Sequence, residues 1–275
     1  MNLEEKLRAL KKSAGKPTRD SDLDRQLTYL RRMEEAPKKL PAQRAARGIE
    51  HYVDGTVESN FRGEYFSARQ LFPFGRPYGK LRIGDISTAE LASLGIFLAE
   101  STLPEAAKLA YLDTETTGLA GGTGTCAFLI GVGIVEGRQF AVRQFFLRDY
   151  PEEKAVLAAL AEMLEPFAGV VTFNGKTFDL PLLETRYALA RMKSPFARLV
   201  HLDLLHPARR LWKLRLDSCK LTHLEKHILG IERQGDVDGA EIPAIYFDYL
   251  RTGEARGLQP VFYHNALDIM TLTAL

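Results

Sequence analysis

Tyr111-Leu112-Asp113-Thr114-Glu115-Thr116-Thr117-Gly118-Leu119 decides how this chain is read: an apolar lead-in runs straight into Asp-x-Glu. The residues before Asp113 have the composition of a short buried β-strand. Side chains two apart on a strand point to the same face, so Asp113 and Glu115 project together from the strand end. Two like charges side by side in a partly buried place are costly unless something neutralises them. The neutraliser that suits paired carboxylates is a divalent metal with oxygen ligands, Mg²⁺ or Mn²⁺.

Two acids rarely hold a catalytic metal pair alone, and the chain offers two further candidates. In Val170-Val171-Thr172-Phe173-Asn174-Gly175-Lys176-Thr177-Phe178-Asp179 a buried strand leads into a polar turn, and an acid opens the next helix. In Tyr263-His264-Asn265-Ala266-Leu267-Asp268, His264 and Asp268 are four apart, which puts them on one face of a helix. The expectation is four acids on a strand, a helix start and a helix, with a histidine one turn from the last.

This order resembles the DEDD exonuclease group of the RNase H-like superfamily. Asp113 and Glu115 match its first motif, Asp179 its second and Asp268 its third. The closer resemblance is to the bacterial YprB-like family of predicted ribonuclease H-like proteins. It is carried by residues 113–128 (DTETTGLAGGTGTCAF), 172–186 (TFNGKTFDLPLLETR), 201–213 (HLDLLHPARRLWK) and 264–272 (HNALDIMTL), within a match over roughly 50–275. The resemblance implies an α/β fold, an RNase H-like mixed β-sheet flanked by helices with an N-terminal extension. It also implies a 3′→5′ exonuclease acting on the ends of single-stranded DNA or RNA.

Phosphodiester hydrolysis needs an activated water, charge neutralisation on the phosphate and a stabilised leaving oxygen, which two metals roughly 3.5–4 Å apart supply together. Asp113, at the strand centre, is the expected bridging ligand. Glu115 and Asp268 are expected on the metal that activates water, and Asp179 on the second, directly or through water. His264 is the expected general base. Here the chain departs from the family's patterns, which place a histidine five residues before the last Asp or a tyrosine four before it. This chain has Tyr263 at the five-residue offset and His264 at the four-residue offset. Tyr263 lies about 500° of helical rotation from Asp268, so His264 is the favoured base. Thr116, Thr117, Asn174 and Lys176 are candidate substrate contacts. Asp203, in His201-Leu202-Asp203, is a fifth acid that either supports the site from behind or serves as a surface acid or helix cap.

The bulk numbers fit a globular enzyme. The chain has 275 residues, 45% of them apolar, enough for a large core. Its longest apolar stretch, at 127–135, is far too short for a bilayer, and the charged first residues are no secretory signal. Two cysteines, Cys126 and Cys219, make no disulfide framework, and a cytoplasmic location without membrane contact is expected. The net charge of +2 is uneven: residues 1–50 hold 13 Lys/Arg against 8 Asp/Glu, and the remainder 24 against 27. The basic arm reads either as a phosphate contact or as a solvated leader.

Residues 1–49 read as a polar basic leader, broken at Pro17, Pro37 and Pro41. Residues 50–107 read as an aromatic and glycine-rich lead-in of hairpin character, followed by a helix over 88–100 capped by Ser87. Residues 108–275 read as the exonuclease domain. Strands are expected at 110–114, 126–135, 139–147, 170–173 and 199–203. Helices are expected at 152–165, 179–191, 205–214, 221–229, 244–251 and from 259 on. The chain stops inside the last of these, and a longer natural protein is expected.

Competing motifs fail on their own terms. Gly175-Lys176-Thr177 ends like a phosphate-binding loop, but Val170 stands where its first glycine must fall. Gly131 and Gly133 open a Gly-x-Gly-x-x-Gly that finishes on Glu136. Cys219, His223 and His227 share a helical spacing that makes half a zinc site, without an evident fourth ligand. Two alternatives to the exonuclease stay open: an RNase H-like nucleic-acid-binding or scaffolding module with little activity, and a structure-selective endonuclease.

Overall fold

The computed structural model describes residues 47–88, 104–118 and 124–275. The leader up to residue 46 and the helix expected over 88–100, but for its first residue, lie outside the described residues. Two strands come first, β1 (Gly55–Asn60) and β2 (Gly63–Pro73), then the short pair β3 (Pro77–Tyr78) and β4 (Leu81–Arg82). The central strands follow: β5 (Leu109–Thr116), β6 (Ala127–Glu136), β7 (Gln139–Phe146), β8 (Gly169–Thr172) and β9 (Val200–Asp203).

Helix α1 (Glu153–Leu164) joins β7 to β8, and α2 (Asp179–Leu189) joins β8 to β9. After β9 come α3 (Leu205–Trp212), α4 (Leu221–Leu224), α5 (Ile242–Thr252) and α6 (Gln259–Ala274). One continuous helix was expected over 221–229; α4 instead passes into a π-helical turn, Glu225–Leu229, closed by Gly230 at φ 74°. Pro243 and Pro260 sit in the first turns of α5 and α6, where a missing N–H costs nothing.

The seven-stranded sheet runs β1-β2-β7-β6-β5-β8-β9. β5, β6 and β7 are antiparallel neighbours, with two residues between β6 and β7, whereas the helical crossovers make β8 parallel to β5 and β9 parallel to β8. The aromatic lead-in joins this sheet. β2 pairs with β7 from Phe66↔Phe146 to Pro73↔Gln139, and Phe66 packs edge-on to Phe146 and Phe262. Tyr65, Phe66 and Phe72 are core because they lie on this inner strand. Ala46–Leu275 form one compact unit.

Alternation along β5 sorts the core. Ala110 and Leu112 pack with α1, α2 and α5 on one face, while Leu109 and Tyr111 pack with Ala266, Ile269 and Met270 of α6 on the other. Odd-numbered side chains of β5 therefore face α6. Asp113 and Glu115 continue that odd series, and this directs them toward the helix that carries Asp268. Among the described residues no helix is long and apolar enough to cross a membrane.

Candidate active site

Asp113 sits where three strands build a polar floor. It pairs with Gly131 of β6, which pairs with Gln144 of β7. Asn265 of α6 enters the space above Gly131; a Cβ there would fall 2.2 Å from its Oδ1. The Asn265 amide donates to Asp113 Oδ2 at 3.0 Å and accepts from Gln144 Nε2 at 2.9 Å. Gln144 also donates to the Phe262 carbonyl at 2.8 Å, which fixes the start of α6 against the sheet. The register slips between Glu115 and Thr116, a bulge of the kind that re-aims side chains at strand ends.

Asp179 arrives from the first turn of α2. Thr114, between the two β5 acids, donates its hydroxyl to Asp179 Oδ1 at 2.5 Å. The turn before it is shaped by Asn174, at φ 67°, and by Gly175, where a Cβ would meet the Thr172 side chain at 2.4 Å. Asp203, fully buried, anchors that turn by accepting from the backbone N–H groups of Asn174 at 2.7 Å and Lys176 at 3.0 Å. It accepts from Leu205 N at 3.1 Å as well, so one carboxylate ties the turn to the start of α3.

Asp268 and His264 lie on one face of α6, with His264 Nε2 3.6 Å from Asp268 Oδ2. His264 Nδ1 is 2.8 Å from Asp236 Oδ1. Tyr263 turns outward and is 44% exposed. Arg233, from the loop between Gly230 and α5, reaches into this corner. Its guanidinium bonds Asp268 and contacts Glu225 Oε2 at 2.6 Å and Asp236 Oδ2 at 3.1 Å.

The electrostatics follow from crowding. Burial, then the charges of Asp268, Glu115 and Asp179, hold the Asp113 carboxyl well above the usual carboxylate range, against the pull of the Asn265 bond. Burial and the charges of Asp268, Asp179 and Asp236 push Glu115 up to about 8, with Arg233 pulling the other way. Burial pushes Asp179 up to about 6, despite the Thr114 bond. Burial alone would lower Arg233, but Asp268 and Glu225 more than offset this and raise it. Asp113, Glu115, Asp179 and Asp268 therefore feel one another from three separate elements, with one guanidinium among them.

An all-oxygen donor set short of positive charge suits a hard divalent cation better than zinc or a soft metal. Among the described residues no group of three or more His, Cys, Asp or Glu is drawn close enough to hold a metal ion as it stands. The carboxylates converge without being drawn tight, and Asp268 is turned to Arg233. The His223 and His227 rings lie 4.2 Å apart between centroids, tilted by 32°, and among the described residues no zinc set forms around them.

The other candidates are placed as follows. Thr116 spends its hydroxyl on the Gly118 carbonyl at 3.0 Å, and Thr117 accepts from Cys126 N at 3.0 Å, so both brace their own turn. Asn174 borders a cavity beside the turn, and the Lys176 side chain is exposed. Sequence reasoning missed Asn265, Gln144, Arg233 and Asp236. Asn265 stood inside the quoted motif, and the glycine opposite it, Gly131, was the available signal. Arg233 and Asp236 lie in a loop without periodicity, where nothing marks them.

The family model described as RNase_H superfamily matches residues 110–275, more than half the chain. YprB of Bacillus subtilis (strain 168), itself described as uncharacterized, is 39% identical over 168 residues, covering 61% of this chain and 40% of that protein. The chain thus spans less than half the length of that relative. Among solved structures, the family B DNA polymerase of the archaeon Pyrobaculum calidifontis superimposes with a TM-score of 0.48 at 11% identity, covering 76% of this chain and 28% of that one. That likeness is too distant to speak to function.

Proposed function

The chain belongs to the RNase H superfamily, and from that premise we propose that it is a metal-dependent nuclease, most directly a 3′→5′ exonuclease on single-stranded DNA or RNA ends. The observation that carries this reading is the convergence of Asp113, Glu115, Asp179 and Asp268: burial first raises the Asp113, Glu115 and Asp179 carboxyls, and for Asp113 and Glu115 the charges of the neighbouring acids add to it. A fold bears that cost readily only where a cation relieves it. The exonuclease mode and direction rest on the family resemblance.

Mg²⁺ or Mn²⁺, as a pair of ions, would supply Lewis-acid stabilisation of the phosphate and a water of lowered pKa. Asp113 would be shared between the ions, Glu115 and Asp268 would hold one, and Asp179 the other. Asn265 keeps Asp113 Oδ2 in place, and Thr114 does the same for Asp179 Oδ1. His264, oriented through Nδ1 by Asp236, presents Nε2 toward Asp268 and takes the proton of the attacking water. Tyr263, exposed on another side, has no such place.

One observation favours a second reading. Arg233 already neutralises Asp268, as it would in an RNase H-like binding module with little activity. Labelled linear and circular single strands separate the possibilities. Shortening of the linear strand from its 3′ end with the circle intact is expected. Cutting of the circle would establish an endonuclease, and binding without any cleavage would establish the module.

A further inference from the structure

The segment that leaves β9 gathers positive charge. Residues 205–220 hold Arg209, Arg210, Lys213, Arg215 and Lys220 against one acid, Asp217, whereas residues 51–275 as a whole carry more acids than bases. All five cations are exposed. Trp212 and the fully exposed Leu214 stand among them, as does Leu211, also exposed.

Between this segment and the turn that precedes Asp179 lies a cavity of about 380 Å³. Phe173 and Asn174 of the turn before Asp179 line one side, and Arg209, Ser218, Cys219 and Lys220 line the other. Ligand sites run about 300–1,000 Å³, so the space is large enough for a nucleotide-sized group. The two walls are also held in register. Asp203 accepts from Asn174 N and Lys176 N on the turn side and from Leu205 N on the α3 side. At the acid end, Phe178 directly precedes Asp179 and is 59% exposed, an aromatic face of the kind on which bases stack.

We propose that residues 205–220 form a cationic platform for the sugar–phosphate backbone of a single-stranded nucleic acid, which leads the strand over the Arg209–Asn174 cavity toward Asp179. The inference deepens the nuclease reading and rests on it for the identity of the polymer. A cationic track beside stackable aromatics binds single strands with little sequence preference. The platform gives a distributed site for the length of the strand, while the acids act on its end.

The test is fluorescence anisotropy of 5′-labelled (dT)₁₅ and (rU)₁₅ in EDTA, across a salt series, with the full chain. The Arg209→Gln/Lys220→Gln pair is compared with Lys154→Gln/Lys193→Gln, two exposed lysines on other parts of the surface. Each phosphate contact on a single strand contributes a slope of about 0.7 in log K against log salt, so the first pair should flatten the slope by about 1.4. Affinity at low salt should fall at least tenfold, with the control pair at wild-type values. With metal added, the loss should appear in KM for the oligonucleotide more than in kcat. Unchanged slope and affinity in the Arg209/Lys220 pair, with its melting temperature unchanged, would overturn the platform. Wild-type hydrolysis of p-nitrophenyl thymidine 5′-phosphate, too short to lie along the segment, reads the acids separately. Strand binding that these substitutions weaken, without hydrolysis of either substrate, would support the platform and count against the nuclease reading.

Discussion

At the scale of single residues, the site is an account of who neutralises whom. Asp113 and Glu115 were legible because strand alternation is a strict period of two, and their placement needs only that β5 face a helix. Asp268 and His264 were legible for the matching helical reason. Arg233 was not, since a loop has no period and a guanidinium acts wherever its long stem reaches. The identity of the base is decided at this scale. His264→Ala is expected to slow turnover roughly 100- to 10,000-fold, while Tyr263→Phe changes it little. Single-turnover cleavage of a labelled strand measures both, and the opposite ranking would mean the base is misassigned.

At the scale of elements, the expected strands and most helices appear within a residue or two, because their apolar runs match one period cleanly. The lead-in was harder to read. Tyr65, Phe66 and Phe72 are core because β2 pairs with β7, a contact between segments well over sixty residues apart that local pattern cannot register. Asp203 was undecided in sequence for a like reason: its three backbone partners lie on two different elements. An amide at 203 has one acceptor oxygen where the carboxylate has two. Asp203→Asn should therefore loosen the turn before Asp179 and the start of α3 together, at a cost of about 1.5–3 kcal/mol for a lost charge-assisted bond. Hydrogen exchange at the amides of Asn174, Lys176 and Leu205 reports this. Protection equal to wild type at all three would show that the carboxylate does not anchor the turn.

At the scale of the whole molecule, the crowded acids set how stability responds to pH and to metal. Glu115 is raised to about 8 and Asp179 to about 6 by burial first and neighbouring acids after it. Between the ordinary carboxylate range and those values the folded chain binds more protons than the unfolded chain. Metal-free stability therefore falls as pH rises through that window. Melting temperature in EDTA should drop from pH 5 to pH 8, and Glu115→Gln should flatten the drop. Added Mn²⁺ should raise the melting temperature most at the alkaline end, where the carboxylates are free to bind it. A metal-free profile that rises over this range, or is unaltered in Glu115→Gln, would show that the acids do not burden the fold.

The central claim is that these acids do metal-dependent phosphodiester chemistry. Its most direct test is cleavage of 5′-labelled single-stranded DNA and RNA with Mg²⁺, Mn²⁺ or EDTA, beside an Asp113→Asn variant of wild-type melting temperature or higher. Products that form with either metal, vanish in EDTA and are lost in Asp113→Asn are predicted. Cleavage that persists at the wild-type rate in Asp113→Asn, or that ignores EDTA, would contradict it.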